Sequence, residues 1–560
     1  MTTFAKLLLD RADDGHAGLL FEDESYTWAE VISAARARAT LGRKVAGAEA
    51  ARRAHIGVLL ENVPDYVFWI GAAALCGATV VGINPTRRGA ELAADIRHTD
   101  CDLIVTDARH VALLDGLDTG VDPARVLLID DPGYREQVAA AAPAEPARDL
   151  DPADRLLLLF TSGSTGAPKA VTCSQGRLAA IAEHGPRFGI TRDAVTYLAM
   201  PLFHGNAIMA NLAMAAYAGA TVALRRRFSA SGFLPDVRRY GVTYFNYVGR
   251  ALAYVLSTPP GPADADNTLR VAFGTEASAQ DMARFGVRFG CRVIEGYGSS
   301  EGAISLTKTP DTPPEALGLP PPGMEVAVLD PRTGAECPPA RFDAAGALLN
   351  ADAAIGEIVG LNVAGAFEGY YNNPEAEARR VRDGRYWSGD LGYRDEKGFF
   401  YFAGRGADWL RVDGENFAAA PVERILSRWE PVVTCAVFPV PDPRTGDQVM
   451  AALELTGDFD PDGFAAFLAA QPDLGTKWAP TFVRIVPAMP VTSTGKVDKR
   501  SLRRERWDRL AGLDQPGEVW WRPPGGRSRE PRYERLTAER ADALRAEFAA
   551  HGRTHLLTAG

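Results

Sequence analysis

Cysteine is scarce and scattered. Six residues (Cys76, Cys101, Cys173, Cys291, Cys337, Cys435) stand singly along 560 positions, with no CxxC pair and no neighbouring histidine cluster. That spacing is poor material for a disulfide framework or a zinc site. Small buried thiols in a reducing cytosol are expected instead. Positive charge is also in deficit: 61 Lys and Arg against 71 Asp and Glu leave a formal net charge of -10. This argues against an electrostatic nucleic-acid binder, so any anionic ligand must be gripped locally by a few placed cations and backbone N–H groups. The N-terminal residues MTTFAKLLLDRADDGH carry no long apolar run after the lysine and do not read as a secretory signal. No internal repeat of fixed short period is present, which excludes solenoids. One uncharged run, residues 66–83, is long enough to span a bilayer. Its composition argues otherwise: residues 62–64 read as a helix start, Gly77 as a stop and residues 79–83 as a β-branched strand. A buried helix running into a buried strand is expected, with no transmembrane segment and a cytoplasmic location.

What is present is enough apolar material, 46% of residues, for a large interior. The length calls for two or more domains. From about residue 55 the runs HIGVLLEN, ATVVGIN, CDLIVTDA, RVLLIDD, LLLLFTSG and GATVALRR read as strands buried on both faces. Helix-spaced Ala- and Arg-rich stretches separate them, which implies an α/β fold with largely parallel sheets. Residues 310–323 are too rich in Pro and Gly for regular structure. Beyond them the texture becomes β-rich (MEVAVLD, GEIVGLN, GFFYFAGR). After a second break near GRGADWLRVDGEN, VERILSRWE and DGFAAFLAAQ read as helices, and TCAVFPV and QVMAALEL as strands, of a small α+β domain. The tail from about Arg506 is rich in Arg, Trp and Pro and ends in a helix-like stretch; its role is not legible.

The strongest chemical signal is LLLLFTSGSTGAPKAV, residues 156–171. A buried strand runs into small residues whose N–H groups can converge on an anion, with hydroxyl donors and Lys169 as a point charge. It is not a Walker A loop, because two residues separate Gly166 from Lys169. A flexible surface turn is the bland alternative. TSGSTGAPK resembles the phosphate-binding loop of the adenylate-forming superfamily: acyl-CoA synthetases, peptide-synthetase adenylation domains and luciferases. The remaining motifs follow in the family's order over roughly residues 15–505. FSASGFLPDVRRYG and the GEN of VDGENF bring the narrower likeness to actinobacterial fatty-acid–CoA ligases and the fatty-acid transport protein branch.

The resemblance implies a large N-terminal domain of layered α/β subdomains with a β-rich subdomain (1–403), a hinge (404–411), a small mobile C-terminal domain (412–505) and an extension (506–560). It places Thr161, Ser162, Gly163, Ser164, Thr165, Gly166 and Lys169 on ATP phosphates. His204 of MPLFHGNA would stand at the acyl-pocket entrance, although a lone histidine among apolar residues is more often a core residue. Gly274, Thr275 and Glu276 would lie along adenine. In EGYGSSEG, an aromatic flanked by glycines can stack a purine, and a carboxylate four residues on can hold Mg²⁺. The resemblance implies Tyr297 on adenine beside Gly298, Ser300 on the α-phosphate where many relatives carry Thr, and Glu301 as the Mg²⁺ ligand. Asp390 of YWSGDLG, read as a turn residue, would accept the ribose hydroxyls. Arg405 would contact ribose and phosphate. The position that in many family members is Asp or Lys at the hinge pivot is Ala407 here with Asp408 next, and either of the two could be the pivot. Gly414 would border the pantetheine path. Lys496 of PVTSTGKVDKR, otherwise one cation in a solvated basic run, would be the catalytic lysine.

The implied reaction is ATP- and Mg²⁺-dependent activation of a small-molecule carboxylic acid as acyl-AMP, followed by thioester formation with CoA. Two rivals stand beside it. One keeps adenylation but changes the acceptor to a carrier protein or an amine, or activates another small anion such as nitrite for aryl-amine diazotisation. The other is a non-catalytic nucleotide- or acyl-binding protein. Residues 203–216, 244–250 and 298–304 are expected to line the acid pocket. Fatty, steroid-side-chain and aryl acids are all open at this point, and a homodimer would be unsurprising.

Overall fold

The computed structural model describes residues 2–47, 53–147, 149–161, 169–343, 348–405, 409–412, 415–444, 446–475, 477–492, 496–507, 518–523 and 532–558. Among these residues two large sheets carry the N-terminal part. One runs in the order Ser305–Thr307, Arg292–Gly298, Val271–Thr275, Tyr244–Val248, Val195–Leu198, Thr221–Leu224, Ala17–Phe21, Glu24–Thr27. The other runs Tyr370–Tyr371, Ala170–Ser174, Arg155–Phe160, Thr79–Gly82, His55–Leu59, Leu103–Thr106, Val126–Leu128. Their central pairings are parallel, as apolar runs covered on both faces require. Thr79–Gly82 and His55–Leu59 are buried at every position.

The uncharged run is a helix, Pro64–Cys76, whose Pro64 occupies the first turn. It stops at Gly77 and leads into Thr79–Gly82. Among the described residues no helix is long and apolar enough to cross a membrane. Cys76, Cys101, Cys173 and Cys435 are buried, and all six cysteines are free thiols.

A third, mostly antiparallel sheet holds Val326–Leu329, Gly356–Gly360, Val381–Arg382, Arg385–Arg394 and Phe400–Arg405. The small C-terminal sheet joins Val432–Pro441, Asp447–Leu455 and Phe482–Ile485, with Ala419–Leu426 and Pro461–Ala469 as its helices. The tail belongs to that sheet. Val519–Trp521 pairs antiparallel with Phe482–Ile485, and helix Ala538–Ala550 buries Ala541, Leu544 and Phe548 in a cluster with Phe438, Met450, Phe482 and Trp507.

Parallel strands end together, so the loops that follow them converge on one edge. In the first sheet these loops begin after Leu198, Val248, Thr275 and Gly298; in the second, the loop begins after Phe160. The described residues of MPLFHGNA, VAFGTEAS and EGYGSSEG sit on this edge.

Candidate active site

The loop after Val195–Leu198 carries MPLFHGNA and is fixed from the opposite sheet. Asn62, buried, donates through Nδ2 to the carbonyls of Met200 (2.9 Å) and Arg225 (3.1 Å) and accepts the Leu202 N–H (2.9 Å). The sequence marked Asn62 only as part of a helix start. His204 caps the short helix Gly205–Ala207, and its ring lies 4.4 Å from that of Phe203. Burial, with the Lys496 cation adding to it, pushes the imidazole down to about 3, so His204 is neutral at physiological pH. Glycine at 205 lets Ser300 approach closely, since a Cβ there would lie 2.9 Å from Ser300 Oγ. The loop that carries His204 and the segment that carries Ser300 are thus close neighbours.

Behind this loop the helix widens into a π turn, Ile208–Leu212, a local irregularity found often at functional sites. It turns Asn211 inward, where Nδ2 donates to Asn246 Oδ1 (2.7 Å) and the Tyr197 carbonyl (3.1 Å), and Oδ1 accepts from Thr196 (2.8 Å). Asn246 in turn donates to Asn206 Oδ1 (2.7 Å). A chain of buried amides and hydroxyls therefore runs among the segments expected to line the acid pocket, and Tyr244 donates to the Ala210 carbonyl there (2.7 Å).

On the nucleotide side, Gly274 is covered by the Tyr247 ring, and Thr275 ends its strand beside Val248. Glu276 adopts a positive φ of 72°, uncommon for a residue with a side chain. Tyr297 donates to Asp390 Oδ2 at 2.7 Å, joining two motifs read separately in the sequence. Asp390 is not at a turn. It lies within strand Arg385–Arg394, pairs with Arg405, and follows Gly389, whose φ of 74° kinks the strand. The backbone of Arg405 is thereby placed beside Asp390; its side chain lies outside the described residues.

Glu301 is 6% exposed and accepts the Tyr370 hydroxyl through Oε1 at 2.8 Å. Tyr370 arrives because its short strand pairs with Ala170–Ser174, which follows Lys169. Lys169 Nζ lies 6.0 Å from the Tyr370 ring centre. Burial lowers the Lys169 ammonium below its ordinary range; Arg380 and Arg379 add to this and Glu301 opposes it. The Thr161 N–H donates to the Lys169 carbonyl at 3.0 Å. Ser162, Gly163, Ser164, Thr165 and Gly166 lie outside the described residues, as do Ala407, Asp408 and Gly414. Arg177, unmarked in the sequence, ties the Ser300 carbonyl (2.5 Å) to that of Thr172 (3.0 Å).

Among the described residues no cluster of three or more His, Cys, Asp or Glu could hold a metal by itself. A single buried carboxylate with one oxygen engaged, Glu301, nevertheless suits Mg²⁺, which binds through one or two carboxylates plus substrate phosphates.

The small domain closes the edge. Lys496 Nζ donates to Glu276 Oε1 at 2.5 Å, and Arg250 Nη2 to the Cys435 carbonyl at 2.5 Å. Near Glu276, the half-buried Glu295 accepts the Ala277 N–H at 2.5 Å. Burial raises the Glu295 carboxyl from 4.5 to about 8, with the Glu276 charge contributing, against the opposing Ala277 and Lys308 interactions. The folded state binds this proton more tightly than the unfolded chain. The resulting stabilisation is complete below pH 4.5 and is lost as pH rises through about 8. Glu295→Gln, which keeps the shape without the charge, is expected to flatten the fall in melting temperature between pH 6 and pH 9 (about the range of that titration). An unchanged slope would contradict this assignment.

Residues 11–371 match the AMP-binding enzyme family and residues 421–496 the AMP-binding enzyme C-terminal domain. The chain belongs to this family. It is 53% identical to the steroid-22-oyl-CoA synthetase of Rhodococcus jostii (strain RHA1), over 99% of both chains. It is 45% identical to the medium/long-chain-fatty-acid–CoA ligase FadD17 of Mycobacterium marinum, over 92% of this chain and 98% of that one. The fold matches ATP-bound MatB from Rhodopseudomonas palustris with a TM-score of 0.75 at 24% identity, covering 90% of this chain and 98% of that one.

Proposed function

We propose that the chain is an AMP-forming acid–CoA ligase whose acid is a steroid carboxylate of the 22-oyl type. The observation that carries the ligase reading is the position of Lys496: a cation from the small domain stands at the strand-end edge beside Glu276 and near His204. A carboxylate is a poor acyl donor because its leaving group would be oxide. Its oxygen attacks the α-phosphorus of ATP, the Pα–O bond to the β-phosphate breaks, and the electron pair leaves with pyrophosphate. Both reactants are anions, so the site must offset their repulsion.

Lys496 bridges the acid and the α-phosphate, while Thr161, Ser162, Gly163, Ser164, Thr165, Gly166 and Lys169 hold the outer phosphates. Ser300 bonds the α-phosphate, and Tyr297 stacks adenine along Gly274, Thr275 and Glu276. Asp390 and Arg405 orient the ribose. Glu301 would hold Mg²⁺, which would offset charge at the phosphates when bound. Neutral His204 borders the acid without adding a competing charge. The small domain then rotates about residues 404–411, withdrawing Lys496 and opening a path past Gly414. The CoA thiolate attacks the acyl carbon, and AMP leaves.

Near full-length likeness to the steroid-22-oyl-CoA synthetase supports the steroid acid. A second reading, a medium- or long-chain fatty acid, is favoured by the likeness to FadD17. Competition between steroid and fatty acids in one reaction mixture, with thioesters resolved by mass, decides between them. Dominance of the steroid thioester is expected; a fatty-acyl product alone would reject the steroid assignment. Pyrophosphate release with no need for CoA would shift the acceptor elsewhere.

A further inference from the structure

We propose that Arg380 is a pyrophosphate-binding residue of the first half-reaction, its guanidinium holding the β- and γ-phosphates of ATP and then the leaving pyrophosphate opposite Lys169. This rests on the adenylation reading above. Arg380 ends the helix Pro374–Arg380, and no motif marks it. The fold brings it into the wall of a polar cavity shared with Tyr297, Glu301, Tyr386 and Asp390. The Tyr370 hydroxyl links two residues of that wall, Glu301 and Arg380. It donates to Glu301 Oε1 at 2.8 Å and receives Arg380 Nε at 3.4 Å, while Lys169 Nζ stands 6.0 Å from its ring centre.

Two cations therefore flank one buried carboxylate. The nearby acids are already engaged: Asp390 by the Tyr297 hydroxyl (2.7 Å), and Glu357 by the Gly389 N–H (2.6 Å) and Arg382 (3.7 Å). Arg380 Nη1 donates to the Trp387 carbonyl at 3.2 Å, which fixes the plane of the guanidinium. Nη2 has no acceptor among the described residues. Position 389 leaves room for this arrangement, since a Cβ there would strike Nη1. A planar, anchored fork with free N–H groups, beside a lysine and a candidate Mg²⁺ carboxylate, matches the oxygens of a polyphosphate. During adenylation the acid-oxygen-to-Pα bond forms as the bond to pyrophosphate breaks, and negative charge moves onto the departing group. Arg380 meets that charge where it accumulates.

The experiment compares Arg380→Gln and Arg380→Lys with the wild-type chain in three measurements. These are KM for ATP, calorimetric Kd for Mg–pyrophosphate, and thioester formation from supplied acyl-AMP and CoA, which involves no pyrophosphate. Arg380→Gln is expected to raise both KM and Kd by about 10- to 100-fold, the range for a lost charge-assisted hydrogen bond. The lysine variant should recover part of the loss, and thioester formation from acyl-AMP should hold. Unchanged ATP KM and pyrophosphate affinity in Arg380→Gln would overturn the proposal. So would an equal fall in both half-reactions with a lowered melting temperature, which marks a structural role. If the wild-type chain binds Mg–pyrophosphate through Arg380 yet forms no AMP with any acid, the site stands and the ligase reading fails.

Discussion

Lys496→Ala is expected to lower acyl-adenylate formation by about 10²–10³-fold, the usual cost of removing one preorganised charge from a reacting phosphate. The same variant should convert supplied acyl-AMP and CoA to thioester at close to the wild-type rate. The asymmetry follows from geometry. Lys496 reaches the edge of the large sheet from a loop of the small domain and is held there by one carboxylate, Glu276. In the proposed mechanism it serves the step in which two anions must be brought together, and the second half-reaction contains no such encounter. Rapid-quench measurement of acyl-AMP and thioester separates the two steps. Equal loss in both would mean that Lys496 supports the fold of the small domain rather than the chemistry of one step.

Ending the chain at residue 505 is expected to unfold the small domain. The truncation removes Trp507, Trp521, Leu544 and Phe548, all buried in one cluster with Phe438, Met450 and Phe482. Trp507 stacks on Phe482 with ring centres 5.1 Å apart, and Arg506 donates to the Leu556 carbonyl at 2.8 Å. At about 1.5–3 kcal/mol for each large apolar side chain buried, four of them contribute about 6–12 kcal/mol, comparable with the whole stability of a domain. Adenylation should then drop to the level of Lys496→Ala or below, because the lysine loop loses its support. Circular dichroism and limited proteolysis should report a folded large domain beside an unfolded remainder. A truncated chain with the full-length melting profile would contradict this role for the tail.

The layered α/β architecture was legible because strands covered on both faces must be apolar runs, and helices between them force parallel pairing. Thus LLLLF and ATVVG predicted their strands, and Gly77 the helix end. The motif residues were legible where small residues, one aromatic and one charge recur in a fixed order. Other parts depended on contacts that no local pattern carries. Arg380 reaches the Glu301 neighbourhood only because Tyr370 pairs with the strand after Lys169. Asp390 read as a turn residue within YWSGDLG. Here the positive φ of Gly389 is absorbed inside a strand whose register shifts between Leu391 and Gly392. The tail was opaque for a similar reason. Its tryptophans follow neither a helical nor a strand period, and their partners lie on Val432–Pro441, Asp447–Leu455 and Phe482–Ile485.

The most direct test of the central claim is acid-dependent exchange of labelled pyrophosphate into ATP in the absence of CoA, with the nucleotide product identified. Exchange that requires the acid and Mg²⁺, with AMP as the product once CoA is added, is the predicted result. No exchange with any acid under conditions where CoA-dependent turnover proceeds, or release of ADP and phosphate, would contradict an acyl-adenylate route.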